Sequence, residues 1–320
     1  MNNRPLSYPG GAKFAFTILD DTDDMTVENG RPIYQLLKDN GINITKTVWA
    51  FDTPQDNQGP YSAGETLALP AYLEWVHELS AQGFEIAFHN ATMGSSLRQD
   101  TIQALAFLEE EFGGSVRLHC NHGQNLENLH WGPQRYHSFF IQKILDGLRR
   151  LRSAREYEGR NPASPYYWSD VADQKLSYIR AFAFNAINCD RIVPGRPYID
   201  KAKQREVKFF NTADAPDVNA FNALVNKDSL DRLCREGGWC VLSTHLGKGF
   251  YRGGAMNAEF EKTIEYLGTL PGLFIPVSDL LDYVGDQRGC NEVSKAENIK
   301  MEYWHIIDRI IDRLMGSTTK

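Results

Sequence analysis

Cysteine is scarce in this chain and never paired. The five cysteines in 320 residues (Cys120, Cys189, Cys234, Cys240 and Cys290) are odd in number and widely spaced, with no Cys-x-x-Cys. That excludes a disulfide framework and a thiolate zinc knuckle, and leaves reduced, mostly buried thiols. Long apolar runs are missing too. No segment approaches the roughly 20 apolar residues of a membrane span, and residues 1–13 hold no apolar stretch of the kind a signal peptide needs. A cytoplasmic location without a membrane span is therefore expected. Positive charge is also thin: 34 Lys and Arg against 41 Asp and Glu leave a net charge of −7. Nucleic acid is thus not an expected partner, because phosphate-backbone binding needs a concentrated basic footprint. The one basic stretch, Arg149 to Arg155, reads as a solvated helix face. Neither an internal repeat nor a low-complexity linker divides the chain.

What is present is ordinary globular composition, 42% hydrophobic and 23% charged, with 12% aromatic residues able to fill a core or stack on a sugar. Residues 13–19 (KFAFTIL) form a short, nearly continuous apolar run, as in a parallel strand covered on both faces, and stop at Asp20. A helix around residues 31–40 closes at Gly41, and residues 43–51 (NITKTVWAF) read as the next strand. The unit then repeats. Pro70 starts a helix that places Leu73, Val76 and Leu79 on one face and ends at Gly83, before a strand over 84–88 and then His89. Ser96 and Gln99 make a capping box for a helix running to Gly113 and Gly114. The following strand, 116–120, delivers Asn121 and His122. Between about 123 and 178 the rhythm breaks into a long polar and aromatic insertion holding one helix, about 136–154; such an excursion usually caps or lines a site. Strand-like runs resume at 179–184, 207–210, 239–244 and 273–277. The pattern predicts a single-domain deformed (β/α) barrel of seven or eight strands spanning 1–320, with its core at about 13–285. A C-terminal amphipathic helix (about 291–316) carries Trp304, Ile307, Ile310, Ile311 and Leu314 on one face, and packs on the barrel or on a second copy in a homo-oligomer.

Residues able to do chemistry fall just past the carboxyl ends of these strands: Asp20 and Asp21, His89, Asn121 and His122, and His245. In a parallel β/α barrel these ends share one rim. Asp20, Asp21, Asp23 and Asp24 place four carboxylates within five positions, an arrangement that a hard cation would relieve. His122 precedes a glycine that permits a sharp turn, and His245 ends the run Val-Leu-Ser-Thr-His before Gly247 and Gly249. Trp131 and Trp168, with Tyr166 and Tyr167, could wall a sugar site.

The run Thr-Ile-Leu-Asp20-Asp21, then His89, then Leu242-Ser-Thr-His245 resembles the motif series of polysaccharide deacetylases of the chitooligosaccharide deacetylase homology type, over most of residues 13–285. Taken with Gly83-Phe-Glu-Ile, the segment Asn121 to Asn125 and Ser164-Pro-Tyr-Tyr-Trp168, the chain looks like an uncharacterised branch among bacterial glycan-synthesis proteins. The resemblance implies Asp20 as base, Asp21 and His89 as ligands of a divalent metal, usually zinc, and His245 as general acid. Met93 stands where that family has its second ligand histidine, and Asn121-His122-Gly123 where it has Arg-Pro-Pro-Tyr. A thioether is a poor zinc ligand beside imidazole, so His122 is taken as the third ligand. The expected activity is removal of an acetyl group from an N-acetylated sugar or glycan precursor. Asn90, Asn121, Asn125, Trp131, Trp168 and Asp170 are the expected substrate contacts. Two alternatives stand beside it: a glycan-binding barrel that has lost the metal, and a metal-free glycosidase pairing two of Asp20, Asp21, Asp23, Asp24 and Asp170.

Overall fold

The computed structural model describes residues 5–54, 63–151, 156–203 and 206–314. The basic stretch from Arg149 to Arg155 falls largely outside the described residues and side chains, as does the end of the expected C-terminal extension. Strands β1 (Phe14–Asp20), β2 (Thr45–Val48), β3 (Glu85–Phe88), β4 (Leu118–His119), β5 (Tyr178–Phe184), β6 (Tyr198–Ile199), β7 (Lys208–Asp214) and β8 (Trp239–Thr244) are followed by a small hairpin, β9 (Tyr251–Arg252) and β10 (Ala255–Met256), and by β11 (Gly272–Leu273). Seven of them close a parallel ring in the order β1-β2-β3-β4-β5-β7-β8 and back to β1.

The deformation has a specific origin. One edge of β1 pairs along its length with β8, from Ala15 opposite Trp239 to Asp20 opposite Thr244. On the other edge only Leu19 and Asp20 meet β2, while Phe14 and Ala15 pair with β11. Likewise β7 meets β8 only through Ala213 and Asp214, and its start pairs with the antiparallel β6. The ring is thus splayed at its amino-terminal end, where two-residue strands fill the gaps. The eighth strand expected at 273–277 shrinks to β11 because Pro276 caps a helix that begins at Val277.

The helices are α1 (Val27–Asp39), α2 (Pro70–Ala81), α3 (Arg98–Phe112), α4 (Phe139–Leu151), α5 (Ser169–Lys175), α6 (Val218–Leu224), α7 (Lys227–Glu236), α8 (Ala258–Thr269), α9 (Val277–Arg288) and α10 (Lys295–Leu314). Pro70 opens α2, and Gly113 ends α3 in the left-handed region, both as their residue types require. At the start of α3 the cap differs from expectation: Asp100, not Gln99, reaches back to accept from the Leu97 amide. The amide of Ser96 donates instead to Glu127 of the insertion. None of the described helices is long and apolar enough to cross a membrane.

Helix α10 reaches the carboxyl ends of the strands. Trp304 packs on Phe184, His305 lies among Tyr136, Phe182 and Phe184, and Arg309 pairs with Asp214 at the end of β7 (3.0 Å). Its outer stripe, Ile299, Tyr303, Ile307 and Ile310, stays exposed.

Candidate metal and active site

Adjacent residues of an extended strand point to opposite faces, so Asp20 and Asp21 cannot both reach the barrel interior. Asp20 faces the helix layer. Its Oδ2 accepts from the Tyr34 hydroxyl of α1 (2.7 Å) and lies 3.4 Å from Lys46 Nζ, and its Oδ1 accepts from the Leu246 amide (2.8 Å). Lys46 is itself caged by the rings of Tyr34, Tyr72 and Trp75. Burial raises the Asp20 pKa, against the pull of Lys46, Tyr34 and Leu246. Asp21 points inward. Its Oδ2 accepts from Arg180 Nη1 of β5 (3.0 Å), and its Oδ1 has no hydrogen-bond partner and lies 3.9 Å from His89 Nδ1. Burial would raise the Asp21 pKa, but the charge of Arg180, with His89 and His245, lowers it.

Two residues on, Asp23 is the point where the histidines meet. Its Oδ2 lies 3.4 Å from His89 Nε2 and 3.5 Å from His245 Nε2; its Oδ1 lies 3.4 Å from His122 Nε2 and 3.5 Å from Lys248 Nζ. In each imidazole the other nitrogen faces an oxygen that can only accept. His89 Nδ1 donates to the Cys120 carbonyl (2.9 Å), His122 Nδ1 to Asn125 Oδ1 (3.0 Å) and His245 Nδ1 to the Pro216 carbonyl (2.7 Å). The ring proton therefore sits on Nδ1, and three Nε2 atoms are turned toward one carboxylate. Burial would raise the Asp23 pKa, yet the imidazoles of His122, His89 and His245 hold it well below the usual range; burial lowers that of His89.

This donor set fits a divalent cation. Ligand atoms about 2 Å from one ion in a tetrahedron stand about 3.3 Å apart, close to the separations seen here. His89 Nε2 and Asp23 Oδ2 are both buried without a hydrogen bond, a costly arrangement that a shared cation would relieve. Asp23, His89 and His122 lie close enough to bind one ion; so do Asp21, His89 and Cys120. The second set is the poorer. It would need His89 Nδ1, already given to the Cys120 carbonyl, and burial drives the Cys120 thiol pKa well above its usual value.

The loops are held by a buried amide network. Glu127 accepts from Asn90 and Asn125 through Oε1 (2.8 and 2.9 Å) and from the Ser96 amide through Oε2 (3.1 Å). Asn90 Oδ1 accepts from the His122 amide, and Asn128 Nδ2 donates to its carbonyl. Asn121 closes a loop onto both backbone groups of Leu129. Gly247 lets two loops touch: a Cβ there would lie 2.4 Å from the Asp24 carbonyl carbon and 2.5 Å from the Asp23 oxygen.

Most of the expected substrate contacts are engaged within the protein. Asn90, Asn121 and Asn125 are buried and spend their amides on positioning the histidine-bearing loops. Trp168 is a core residue, its ring against Phe88 and His119 and its Nε1 donating to the Glu127 carbonyl. Asp170 is held in a fork by Arg98 (2.6 and 2.8 Å). Trp131 remains partly exposed beside the cluster. Asp20 does not face the site at all. Arg180 and Lys248 were not anticipated. An arginine inside the otherwise apolar strand YIRAFAF was the available signal for the first.

No family model matches the chain, and no curated protein matches it in sequence. Its fold is shared with solved structures described as polysaccharide deacetylases and as an allantoinase. Among solved structures it resembles Puue allantoinase (14% identity, TM-score 0.54, covering 90% of this chain and 96% of that one). It equally resembles a protein described as a probable polysaccharide deacetylase from Pseudomonas aeruginosa PAO1 (15% identity, TM-score 0.52, 90% and 96%).

Proposed function

We propose that the chain is a metal-dependent hydrolase that removes an acetyl group from an N-acetylated sugar or glycan precursor. The observation that carries this reading is the convergence of three Nδ1-anchored imidazoles on Asp23. The fold it shares with a probable polysaccharide deacetylase supports the substrate class. Asp23, His89 and His122 would hold the ion, with zinc favoured by a donor set of two nitrogens and a carboxylate. In this reading His122, from the loop after β4, supplies the imidazole that Met93 cannot, and Asp23 takes the ligand role expected of Asp21. A divalent ion in such a set supplies Lewis acidity toward water and an acyl oxygen.

The protein groups do the rest. Asp21, ionised and oriented by Arg180, offers Oδ1 to accept a proton from the attacking water, the task expected of Asp20. His245 is the most exposed of the three imidazoles. With its Nδ1–H fixed at Pro216, its Nε2 is the nitrogen that would carry a second proton to the departing amine. The Asn90–Glu127–Asn125 network fixes the His122 tautomer and ring direction, as outer partners of ligand histidines do.

Metal analysis of the purified protein, coupled to acetate release from N-acetylated oligosaccharides, tests the proposal. One equivalent of zinc is expected, with loss of both zinc and turnover in Asp23→Ala. His245→Ala should keep the zinc and lose about 10²–10⁴-fold in turnover. A wild-type protein that takes up no divalent ion, and whose melting temperature ignores chelator, would leave a glycan-binding barrel instead.

A further inference from the structure

We propose that an oxyanion subsite adjoins this centre, built from Arg135 stacked on Trp131 with Arg180 and Arg309 nearby, so that the substrate is an N-acylated sugar bearing a phosphate or carboxylate. The proposal rests on the reading of the neighbouring cluster as the reaction centre.

The subsite is tied to that centre by short links. Trp131 Nε1 donates to the carbonyl of Gly123 (2.8 Å), the residue after His122. The Arg135 guanidinium lies 3.5 Å from the Trp131 ring centroid, and that of Arg180 lies 6.0 Å from it. Arg180 in turn bonds Asp21 (3.0 Å) and the Ser243 hydroxyl. Ser243 is the register partner of Asp214, which holds Arg309 (3.0 Å).

Two guanidinium groups therefore lie beside one indole, with that of Arg309 at the neighbouring strand end, and Arg180 and Arg309 each have a carboxylate. Arg135 has none among the described residues, and its Nε is buried without a hydrogen bond. Burial first, then the charges of Arg180 and Arg309, lowers its pKa to about 10. A cation held next to like charges is costly unless an anion completes the set. Arg135 and Trp131 are both partly exposed, so a ligand can reach them. A guanidinium plane matches two oxygens of a phosphate or carboxylate, and the indole beside it offers a face to the sugar.

Titration calorimetry of the purified protein with three probes tests this: N-acetylglucosamine, its 1-phosphate, and the corresponding N-acetylated uronic acid. At least one anionic probe should bind about tenfold or more tightly than the neutral sugar, as for hydrogen bonds to a charged group. Which of the two does so identifies the oxyanion. Arg135→Gln should abolish that advantage, and Arg135→Lys should restore part of it. Equal affinity for all three probes, no detectable binding of either anion, or an advantage that survives in Arg135→Gln would overturn the proposal. Since the readout is binding, the two readings fail separately. Arg135-dependent binding without acetate release sinks the hydrolase alone; acetate release without anion preference sinks the subsite alone.

Discussion

Asp20 and Asp21 share a peptide bond and nearly equal burial, yet the pleat of β1 gives one to the helix layer and the other to the barrel interior. Their variants should separate accordingly. Asp20→Asn leaves Lys46 buried without its counter-charge and should cost about 3–5 kcal/mol of stability, with turnover per folded molecule retained. Asp21→Asn should keep most of the stability and lose turnover; chemical denaturation and acetate release on the same samples check both. A third residue-scale expectation concerns pH. His119 is fully buried, its Nδ1 donating to the Phe88 carbonyl (3.2 Å), and burial pulls its pKa down to about 4. The unfolded chain, with an ordinary histidine near 6.5, binds that proton more readily. The contribution is complete above pH 6.5 and is lost as pH falls toward 4, amounting to about 3 kcal/mol over that window. Denaturation midpoints at pH 7, 5.5 and 4.5 should fall less steeply in His119→Gln than in the natural chain. In sequence, the cluster of aspartates and the three strand-end histidines were legible as candidates. Which aspartate faces which way was not, because a one-residue step exchanges the faces of a strand.

At the scale of elements, strand and helix alternation was readable because apolar runs ended at glycine, proline and chemistry-bearing residues. The close approaches between elements were not. Gly30 of α1 shows why: a Cβ there would sit 2.2 Å from Trp75 Cη2 of α2 and 2.7 Å from Met25 Sδ. Trp75 is pinned by ring contacts with Tyr34 and Tyr72 and cannot retreat. Gly30→Ala should therefore destabilise the fold by about 1–3 kcal/mol despite alanine's better helix propensity. A thermal melt gives the answer. The same logic governs the insertion, in which Asn125 was an expected substrate contact. Asn125 bonds Glu127 and the His122 imidazole, and Asn128 bonds the His122 carbonyl, as buried polar groups must.

Across the whole molecule, α10 joins the C-terminal chain to the carboxyl rim through Trp304, His305 and Arg309, while Ile299, Tyr303, Ile307 and Ile310 face outward, each about half exposed. That stripe is the surface a second copy of the chain would cover in the homo-oligomer, one of two packings expected for this helix. Light scattering decides between them: twice the chain mass, returned to one by Ile307→Lys, marks the homo-oligomer, and a single-chain mass at all concentrations removes it. From sequence alone the barrel class, the order of its strands and the rim on which His89, His122 and His245 emerge were determined, since periodicity and strand ends are local properties. Tertiary structure alone decided that Asp23 is where those imidazoles meet, that Arg180 crosses from β5 to Asp21, and that Asn90, Asn125 and Trp168 all bond Glu127 of the insertion. Those assignments depend on the register and splay of a closed ring, which set distances between residues far apart in the sequence.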